Sequence, residues 1–300
     1  GSLENFRTVN EAKPIVDARL ADGSRVNVVL EPVAIDGSVI SIRKFSREPM
    51  TLQKLTELDS ISQEAAEFLA LLVRAGYNIF VSGGTGSGKT TFLNALSEHI
   101  PKEQRVIIIE DSAELQMKGI PNLIRLETRS SNGSGSEEIT IRDLIRTALR
   151  MRPDRIIVGE VRGAEALDML QSFNTGHDGS LSTGHANSCE DMLSRLETMT
   201  LMAMDLPLEA VRRQIASGID ILIHLGRMRD KSRKVLRICE IAGMKRGEIC
   251  LNTLYQFEEM EEREGRVYGI WKRKAELQNT DRIYSEGLKE IYESFLQKAF

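Results

Sequence analysis

The clearest chemical signal is the stretch "GGTGSGKT" at residues 83–90, which fits the pattern G-x-x-x-x-G-K-[ST]. Glycines let the backbone N–H groups of such a loop turn inward around phosphate oxygens, and the helix that follows adds the positive end of its dipole. Lys89 can reach the β- and γ-phosphates, and the Thr90 hydroxyl can ligate Mg²⁺. The stretch predicts binding of a nucleoside triphosphate through Gly83, Gly84, Thr85, Gly86, Ser87, Gly88, Lys89, Thr90 and Thr91.

Carboxylates are the second requirement, because cleavage of a phosphate needs acidic groups to hold Mg²⁺ and to orient the attacking water. The predicted strand "VIIIED" ends at Glu110 and Asp111, and the strand "RIIVGE" ends at Glu160. Ligands gather at the carboxyl ends of strands in α/β sheets, so these acids are expected near Lys89. Gly159 stands where such strands usually carry an aspartate. Glu160 is therefore expected to serve the metal or the water alone, with Glu110 as its companion; ordinary surface acids are the alternative.

Arginines could stabilise the charge that develops on a transferred γ-phosphate, from the same chain or from a neighbouring subunit. The predicted helix "TIRDLIRTALRMR" places arginines four residues apart on one stripe, and the strand before it carries others. Arg129 and Arg146 are the candidates for a catalytic role. The alternative is a solvated helix face with no role in catalysis. The arginines concerned are Arg125, Arg129, Arg142, Arg146, Arg150 and Arg162.

Two histidines lie in the Gly/Ser/Thr-rich stretch "NTGHDGSLSTGHAN", which also contains Asp178 and is followed by Cys189. Zinc ligation by His177 and His185 is one interpretation, although their spacing matches no compact zinc motif. Structural histidines with satisfied hydrogen bonds are a second. In the third, one imidazole contacts the phosphate or the catalytic carboxylates and the other bridges to a moving part, with nearby glycines as hinges. All three stay open at this point.

The elements expected to position these residues alternate between apolar strands and amphipathic helices. Such alternation predicts an α/β fold with a mostly parallel sheet covered on both faces. The predicted strands are "NIFVSG", "RVIIIED", "LIRLETR", "RIIVGE", "GSLSTGH" and "ILIHLGR". The predicted helices are "SISQEAAEFLALLVRAG", "TTFLNALSEHI", "TIRDLIRTALRM", "GAEALDMLQSFN" and "EDMLSRLETMTLMA".

The N-terminal stretch is organised differently. Two strands around the turn Asp22–Ser24 and a third in "GSVISIRKF" predict the C-terminal portion of a truncated, small α+β domain over residues 1–46. A linker is expected over 47–61, and the main domain over 62–300. Within it, 130–138 reads as a flexible loop. Residues from about 255 to 300 turn polar and are expected to form a helical extension.

The bulk composition limits the classes of protein. The 300 residues carry a formal net charge of −4, so no overall basic field draws the chain to nucleic acid or anionic lipid. The three cysteines show no C-x-x-C spacing and are expected to be reduced thiols in a cytosolic protein. The longest apolar runs fall far short of the ~20 residues that span a bilayer.

Four stretches together resemble the secretion and pilus traffic ATPases, the superfamily of type II secretion, type IV pilus and type IV secretion motors. They are "SGGTGSGKTTFLNAL", "IIIEDSAELQ", "ALRMRPDRIIVGEVRGAEALDMLQSFNTGHDGSLSTGHAN" and "SRLETM". Their amino-acid sequences are most similar to those of the CpaF-type ATPase of tight-adherence (Tad/Flp) pili. The family's Walker A, Asp box, atypical Walker B and His box correspond here to residues 83–90, 110–115, 156–160 and 176–185.

The resemblance implies a RecA-like P-loop NTPase domain hinged to a small N-terminal domain, with ATP and Mg²⁺ bound between the two. "SIRKF" resembles the family's interdomain segment, so Arg43 and Lys44 become candidate phosphate contacts. Thr90, Glu160 and Glu110 are the expected Mg²⁺ ligands. The expected catalytic residues are Glu160, Glu110, Lys89, His185, His177, Arg129 and Arg146.

The resemblance also implies a homo-hexamer in the cytoplasm, peripheral to the inner membrane, that hydrolyses ATP and rotates its domains. Its expected work is assembly or retraction of a Tad/Flp pilus, or type II-like secretion. Its expected partner is an integral-membrane platform protein, with no direct contact to nucleic acid. A type IV secretion ATPase that translocates DNA or effector protein is one alternative. A nucleotide-gated regulatory ring with low turnover is the other.

Overall fold

The computed structural model describes residues 9–20, 22–44, 50–129 and 137–298. The chain divides into two compact units, Gly1–Pro49 and Met50–Phe300. The first unit contains an antiparallel sheet with the predicted three strands in chain order: β1 (Ile15–Arg19), β2 (Arg25–Val29) and β3 (Val39–Arg43).

The turn between β1 and β2 forms where the sequence predicts it. Asp22 Oδ1 accepts a hydrogen bond from the Ser24 backbone N–H at 2.9 Å, a local bond that favours a turn. Arg43 is the last residue of β3 and pairs with Arg25 of β2, and Lys44 follows it. Both Arg43 and Lys44 are exposed within this unit.

The second unit is built on a sheet of nine strands. They are β4 (Ile79–Gly83), β5 (Arg105–Glu110), β6 (Asn122–Glu127), β7 (Arg155–Val161), β8 (Leu181–Gly184), β9 (Ile221–Arg227), β10 (Arg233–Lys245), β11 (Glu248–Arg263) and β12 (Arg266–Arg273). Their order in the sheet is β12-β11-β10-β9-β4-β8-β7-β5-β6. The six strands from β9 to β6 are parallel, and β10 to β12 add an antiparallel extension beside β9.

Helices cover both faces of this sheet. They are α1 (Leu52–Glu57), α2 (Gln63–Arg74), α3 (Lys89–Ser97), α4 (Ile141–Ala148), α5 (Glu165–Phe173), α6 (Cys189–Ala203), α7 (Leu208–Gly218), α8 (Asp281–Ser285) and α9 (Lys289–Gln297). Side-chain caps fix where three of them begin: Ser62 caps α2, Ser188 caps α6, and Thr140 with Asp143 forms the capping box of α4. Among the described residues, none of the helices combines the length and the apolar composition that a bilayer crossing needs.

The core lies on both sides of the sheet, because alternate residues of each buried strand point to opposite faces. On β4, Ile79 and Val81 pack with α2, α3 and α9, whereas Phe80 between them packs with α4 to α7. The parallel strands are therefore buried on both faces and read as continuous apolar runs. This confirms the predicted α/β class with a mostly parallel sheet.

Three parts of the second unit differ from the sequence expectation. The described part of the predicted linker, 50–61, belongs to this unit, since α1 buries Leu52 and Leu55 in its core. The expected helical extension is wrong for residues 255–273, which form strands of the antiparallel extension. Within the described part of 255–298, helices occur only after these strands, as α8 and α9. Of the predicted flexible loop 130–138, residues 130–136 lie outside the described residues.

Candidate functional site

The predicted phosphate-binding loop connects β4 to α3, at the carboxyl end of a central strand. Gly88 adopts φ 95° immediately before the helix, a left-handed conformation that favours glycine. An added Cβ at Gly83 would lie 2.5 Å from Ser87 Oγ and 2.6 Å from Leu225 O. Both glycines are therefore needed for the loop to fold back over the first turn of α3.

Lys89 begins α3 and turns its side chain back into the loop. Its Nζ donates hydrogen bonds to Gly83 O at 3.0 Å and Gly84 O at 3.2 Å, and lies 3.3 Å from His185 Nδ1. Burial lowers the pKa of Lys89, and the charge of Glu160 opposes that shift. The ammonium is thus held at the mouth of the loop by backbone dipoles, one imidazole and one carboxylate.

An irregularity in the pairing of β7 sets the direction of the Glu160 side chain. Val158 pairs with Ser182 and Val161 pairs with Gly184, so β7 takes three steps where β8 takes two. This is a β-bulge, which turns a side chain away from the direction that regular pairing would give it. Thr183 Oγ1 fixes the bulge by donating to Gly159 O at 2.7 Å.

His185 follows β8 and connects the two charged groups. Its Nε2 lies 2.7 Å from Glu160 Oε1. A lysine ammonium can only donate, so His185 Nδ1 must accept a hydrogen bond from Lys89 Nζ, which leaves the ring N–H on Nε2. Burial, followed by the charge of Lys89, lowers the pKa of His185, and Glu160 opposes the shift. The imidazole is therefore neutral at pH 7 and joins Lys89 to Glu160.

Two buried oxygens at this edge have no aligned hydrogen-bond partner among the described residues. They are Ser87 Oγ, inside the loop, and Glu160 Oε1, whose contact with His185 is close but unaligned. The other carboxylate oxygen of Glu160 accepts from Arg162 Nε at 2.8 Å. Buried polar atoms need partners, so these two fit a polar ligand such as a phosphate group with Mg²⁺ and its water. Thr90 and Glu160 are the residues that could hold the metal.

Glu110 has a different position from the one expected of a second metal ligand. Its side chain is buried, and its Oε1 accepts backbone N–H bonds from Glu114 and Leu115, both at 2.9 Å. Burial raises the pKa of Glu110, and these two hydrogen bonds oppose the shift. It lies beside Gly159, where an added Cβ would be 2.9 Å from Glu110 Cγ. One of its oxygens thus holds the Asp-box loop, and its side chain fills the space of the missing aspartate.

His177 is not brought to this edge. It precedes β8 while His185 follows it, so the strand separates the two by roughly 13 Å at about 3.3 Å per residue. His177 Nδ1 lies 3.1 Å from Ser172 O, at the end of α5. The structure thus contradicts a shared catalytic role within one chain. Among the described residues, no group of three His, Cys, Asp or Glu side chains is placed to hold a metal, which opposes the zinc interpretation.

The two candidate arginines have partners elsewhere. Arg146 Nε bonds Asp168 Oδ1 at 3.0 Å, and Arg142 Nε bonds Asp168 Oδ2 at 2.6 Å. Arg129 follows β6, which lies four strands from β4 and hence about 19 Å away at a strand spacing of about 4.8 Å. Its Nε donates to Glu137 O at 3.2 Å. Within one chain, therefore, neither arginine contacts the Lys89 site.

One functional candidate escaped sequence reasoning. Arg233, the first residue of β10, donates from Nε to Gly86 O at 2.8 Å. It lies 147 residues along the chain from that glycine, in a stretch with several basic residues and no recognisable motif. The only available signal was the run of basic residues after the strand "ILIHLGR".

The chain is similar to known proteins in sequence and in structure. The family model described as "Type II/IV secretion system protein" matches residues 3–298. A putative conjugal transfer protein of Mycobacterium tuberculosis is 38% identical over 253 residues, which are 82% of this chain and 70% of that protein. Type IV secretion system protein PtlH of Bordetella pertussis is 36% identical over 244 residues, 72% of this chain and 71% of PtlH.

Solved structures agree with this result. The VirB11 ATPase from the Brucella suis type IV secretion system, in complex with sulphate, matches with a TM-score of 0.53 and 29% identity over 78% of each chain. The pilus retraction motor PilT with bound ADP matches 96% of this chain and 72% of its own, with a TM-score of 0.56. At 22% identity, the PilT match shows a shared fold alone.

Proposed function

The chain belongs to the family of type II/IV secretion system proteins, and from this membership we propose that it is an ATP-hydrolysing ring motor of a secretion or pilus machine. The family model covers nearly the whole chain. The observation that carries the proposal is the meeting of Lys89, His185 and Glu160 at the mouth of one phosphate-binding loop. The expected superfamily and the RecA-like fold are confirmed by these matches.

The substrate in this proposal is ATP with Mg²⁺. The N–H groups of the loop and the N-terminus of α3 would bind the phosphates, and the Thr90 hydroxyl with Glu160 would hold the metal. The bound metal would supply positive charge to the phosphates during cleavage. Lys89 would exchange its bonds to loop carbonyls for bonds to phosphate oxygens. Glu110 would act from behind, by fixing the Asp-box loop and the position of β7.

His185 and Glu160 would govern the attacking water. The buried Oε1 of Glu160 has no aligned donor among the described residues, so it can accept a hydrogen bond from a water and orient it. His185 would hold that carboxylate in place through Nε2. Because its Nδ1 contacts Lys89, the imidazole would also respond when Lys89 engages a phosphate. This coupling would let the site distinguish ATP from ADP.

We further propose that six copies form a ring on the cytoplasmic face of the inner membrane, against an integral-membrane platform protein. In the ring, Arg129 and Arg146 would act on the site of a neighbouring subunit. Loss of the γ-phosphate would release contacts at the loop and permit a domain rotation. Arg43 and Lys44 stay candidates for phosphate contact in this arrangement.

Two machines fit the proposed motor. The sequences of the four motifs, which resemble those of the CpaF-type ATPase, support a motor of a Tad/Flp pilus. The names of the conjugal transfer and type IV secretion relatives, at 36–38% identity, support a type IV secretion ATPase that moves DNA or effector protein. ATPase activity stimulated by DNA would favour the second, and stimulation by a co-expressed membrane platform protein would favour the first. Very slow turnover under both conditions would favour a regulatory ring.

Replacement of Lys89 tests the site itself. We expect Lys89→Ala to lose Mg·ATP binding, because the ammonium supplies the charge that the terminal phosphates need, and ATP turnover to fall at least about a hundredfold. Fluorescent-nucleotide titration and a phosphate-release assay measure the two effects. Lys102→Ala, an exposed lysine beyond α3, is the matched control. Turnover at the wild-type rate in Lys89→Ala would refute the site.

A further inference from the structure

The hairpin between β9 and β10 brings a second cation to the phosphate-binding loop. Arg233 Nε donates to Gly86 O at 2.8 Å. The stem of the same side chain passes over Gly88, where an added Cβ would lie 3.2 Å from Arg233 Cδ. One arginine thus covers the outer side of the loop at two of its glycines.

The loop backbone shows what this contact fixes. A trans peptide holds its C=O and its N–H on opposite sides. Because the Gly86 carbonyl points to Arg233, the Ser87 N–H of the same peptide points across the loop, to Gly84 O at 3.2 Å. Lys89 holds the carbonyls of Gly83 and Gly84 in the same way. N–H groups turned inward are what such a loop offers to a phosphate.

The start of β10 is anchored independently of the loop. Lys234 is buried, with its Nζ 5.6 Å from the centroid of the Trp271 ring and 2.7 Å from Asp59 O, to which it donates. Trp271 Nε1 donates to Val235 O at 2.6 Å. The backbone on the C-terminal side of Arg233 is therefore fixed by β12 and by the turn after α1, so the arginine acts on the loop from a rigid base.

We propose that Arg233 is a positioning residue of the nucleotide site, which holds the peptide between Gly86 and Ser87 so that the Ser87 N–H bonds Gly84 O and the loop keeps its phosphate-binding form. The proposal rests on the proposed function, since it takes the loop to bind ATP. It also gives the antiparallel extension a part in nucleotide binding, because β10, anchored by β12, contributes to a site that otherwise lies on the parallel strands.

Arg233→Met tests this, because it keeps the stem over Gly88 and removes the N–H donor. We expect the Kd of Mg·ATP and of Mg·ADP to rise about tenfold, as for loss of a charge-assisted hydrogen bond. Turnover at saturating ATP should change less than about twofold, since the contact supports binding before and during cleavage equally. Amide hydrogen exchange should accelerate in the peptide that contains Ser87. Arg233→Lys should recover part of the affinity.

Arg229→Met is the matched control. Arg229 lies on the same hairpin, but its guanidinium bonds Glu259 and Glu262, at 2.9 and 2.6 Å. Unchanged affinity and unchanged exchange in Arg233→Met would overturn the proposal. An equal loss in both variants would assign the effect to the fold of the hairpin and would also overturn it. If instead the wild-type chain fails to bind Mg·ATP, or Lys89→Ala binds it normally, the nucleotide-binding function itself is refuted.

Discussion

Lys89, His185 and Glu160 are arranged so that each group sets the state of the next. The ammonium of Lys89 fixes which nitrogen of His185 carries the proton, and that nitrogen, Nε2, lies 2.7 Å from the carboxylate of Glu160. Arg162 holds the other oxygen of the carboxylate. At the residue scale, then, the candidate site is one connected set of charges, and a change at one member should be detected at the others.

Replacement of Glu160 by glutamine keeps the shape of the side chain and removes its charge. We expect Glu160→Gln to bind ATP with similar affinity and to hydrolyse it about 10²–10⁴-fold more slowly, the range for loss of a positioned acid–base group. Nucleotide titration and single-turnover hydrolysis measure the two quantities. Glu103→Gln, at an exposed site, is the control. Normal turnover in Glu160→Gln would transfer the role to Glu110.

The pH dependence of turnover should report His185. Its pKa is lowered from 6.5, so the imidazole is neutral above that range and becomes protonated only as the pH falls below it. Protonation removes the acceptor at Nδ1 and places a cation beside Lys89, Arg162 and Arg195. We expect turnover to be constant between about pH 7 and 8 and to fall on acidification below the ordinary histidine range.

Two variants separate this effect from titration of a carboxyl group. In His185→Asn the acid limb of the profile should disappear, at a lower overall rate. In Glu110→Gln the limb should persist, even though burial raises the pKa of Glu110 in the wild-type chain. An acid limb that survives in His185→Asn and vanishes in Glu110→Gln would contradict the assignment.

At the scale of the elements, α4 and α5 are joined by one buried carboxylate. The side chain of Asp168 is 6% exposed and accepts from both Arg142 and Arg146, whereas the side chain of Arg146 is 60% exposed. The contact between α4 and α5 therefore depends more on Asp168 than on either arginine. This contact also gives Arg142 and Arg146 a structural role, so their presence on α4 does not require a catalytic one.

Asp168→Ala should lower the free energy of unfolding by about 1–3 kcal/mol, because it leaves two guanidinium groups without their acceptor. Arg146→Met should cost less than about 1 kcal/mol, as expected of a largely exposed ion pair. Urea denaturation measures both. If Arg146 acts on a neighbouring subunit, Arg146→Met will lower turnover of the assembled protein while its stability stays near wild type. Turnover that declines only in proportion to stability assigns it a structural role alone.

Elements buried on both faces could be predicted from the sequence, and exposed ones could not. A short apolar run such as that of β5 predicts a strand, because a central strand of a parallel sheet is buried on both of its faces. The charged stretch of β11 gives no such signal, since its C-terminal part is exposed and is a strand only through pairing with its neighbouring strands. The site follows the same division. Lys89 and Glu160 follow from strand ends, whereas Arg233 depends on pairing between distant segments.

His177 shows why proximity in sequence misled. It shares a glycine-rich stretch with His185, and the four residues of β8 between them include serine, threonine and glycine. The stretch "GSLSTGH" predicts this strand, but the resemblance to the family places both histidines in one catalytic set. The strand carries them to opposite ends of the parallel strands, and His185 alone of the two reaches Lys89.

At the scale of the whole molecule, the second unit holds its own core. Both buried clusters consist of residues from Leu52 onward. We expect a chain of residues 50–300 to fold, with a Tm within about 3 °C of the longer chain, equivalent to roughly 1 kcal/mol. Thermal denaturation checks this, and a much lower Tm would show that the first unit supports the second.

The same shortened chain tests Arg43 and Lys44. If they contact phosphate, it will bind ATP more weakly than the full chain although its stability is unchanged. Arg43→Ala with Lys44→Ala in the full chain should then give the same loss. Arg19→Ala, on β1 at the other edge of the same sheet, is a suitable comparison. Equal affinity in all of these chains would remove both residues from the nucleotide site.

The last helix of the chain packs against the first long helix of its unit. Phe295 of α9 stacks on Phe68 of α2 at 5.8 Å between ring centroids, and Tyr292 is buried beside it. During synthesis, α2 leaves the ribosome more than two hundred residues before its partner. The part of α2 that Phe295 covers must therefore stay exposed until α9 has been made, and apolar surface exposed in this way makes a nascent chain prone to aggregation.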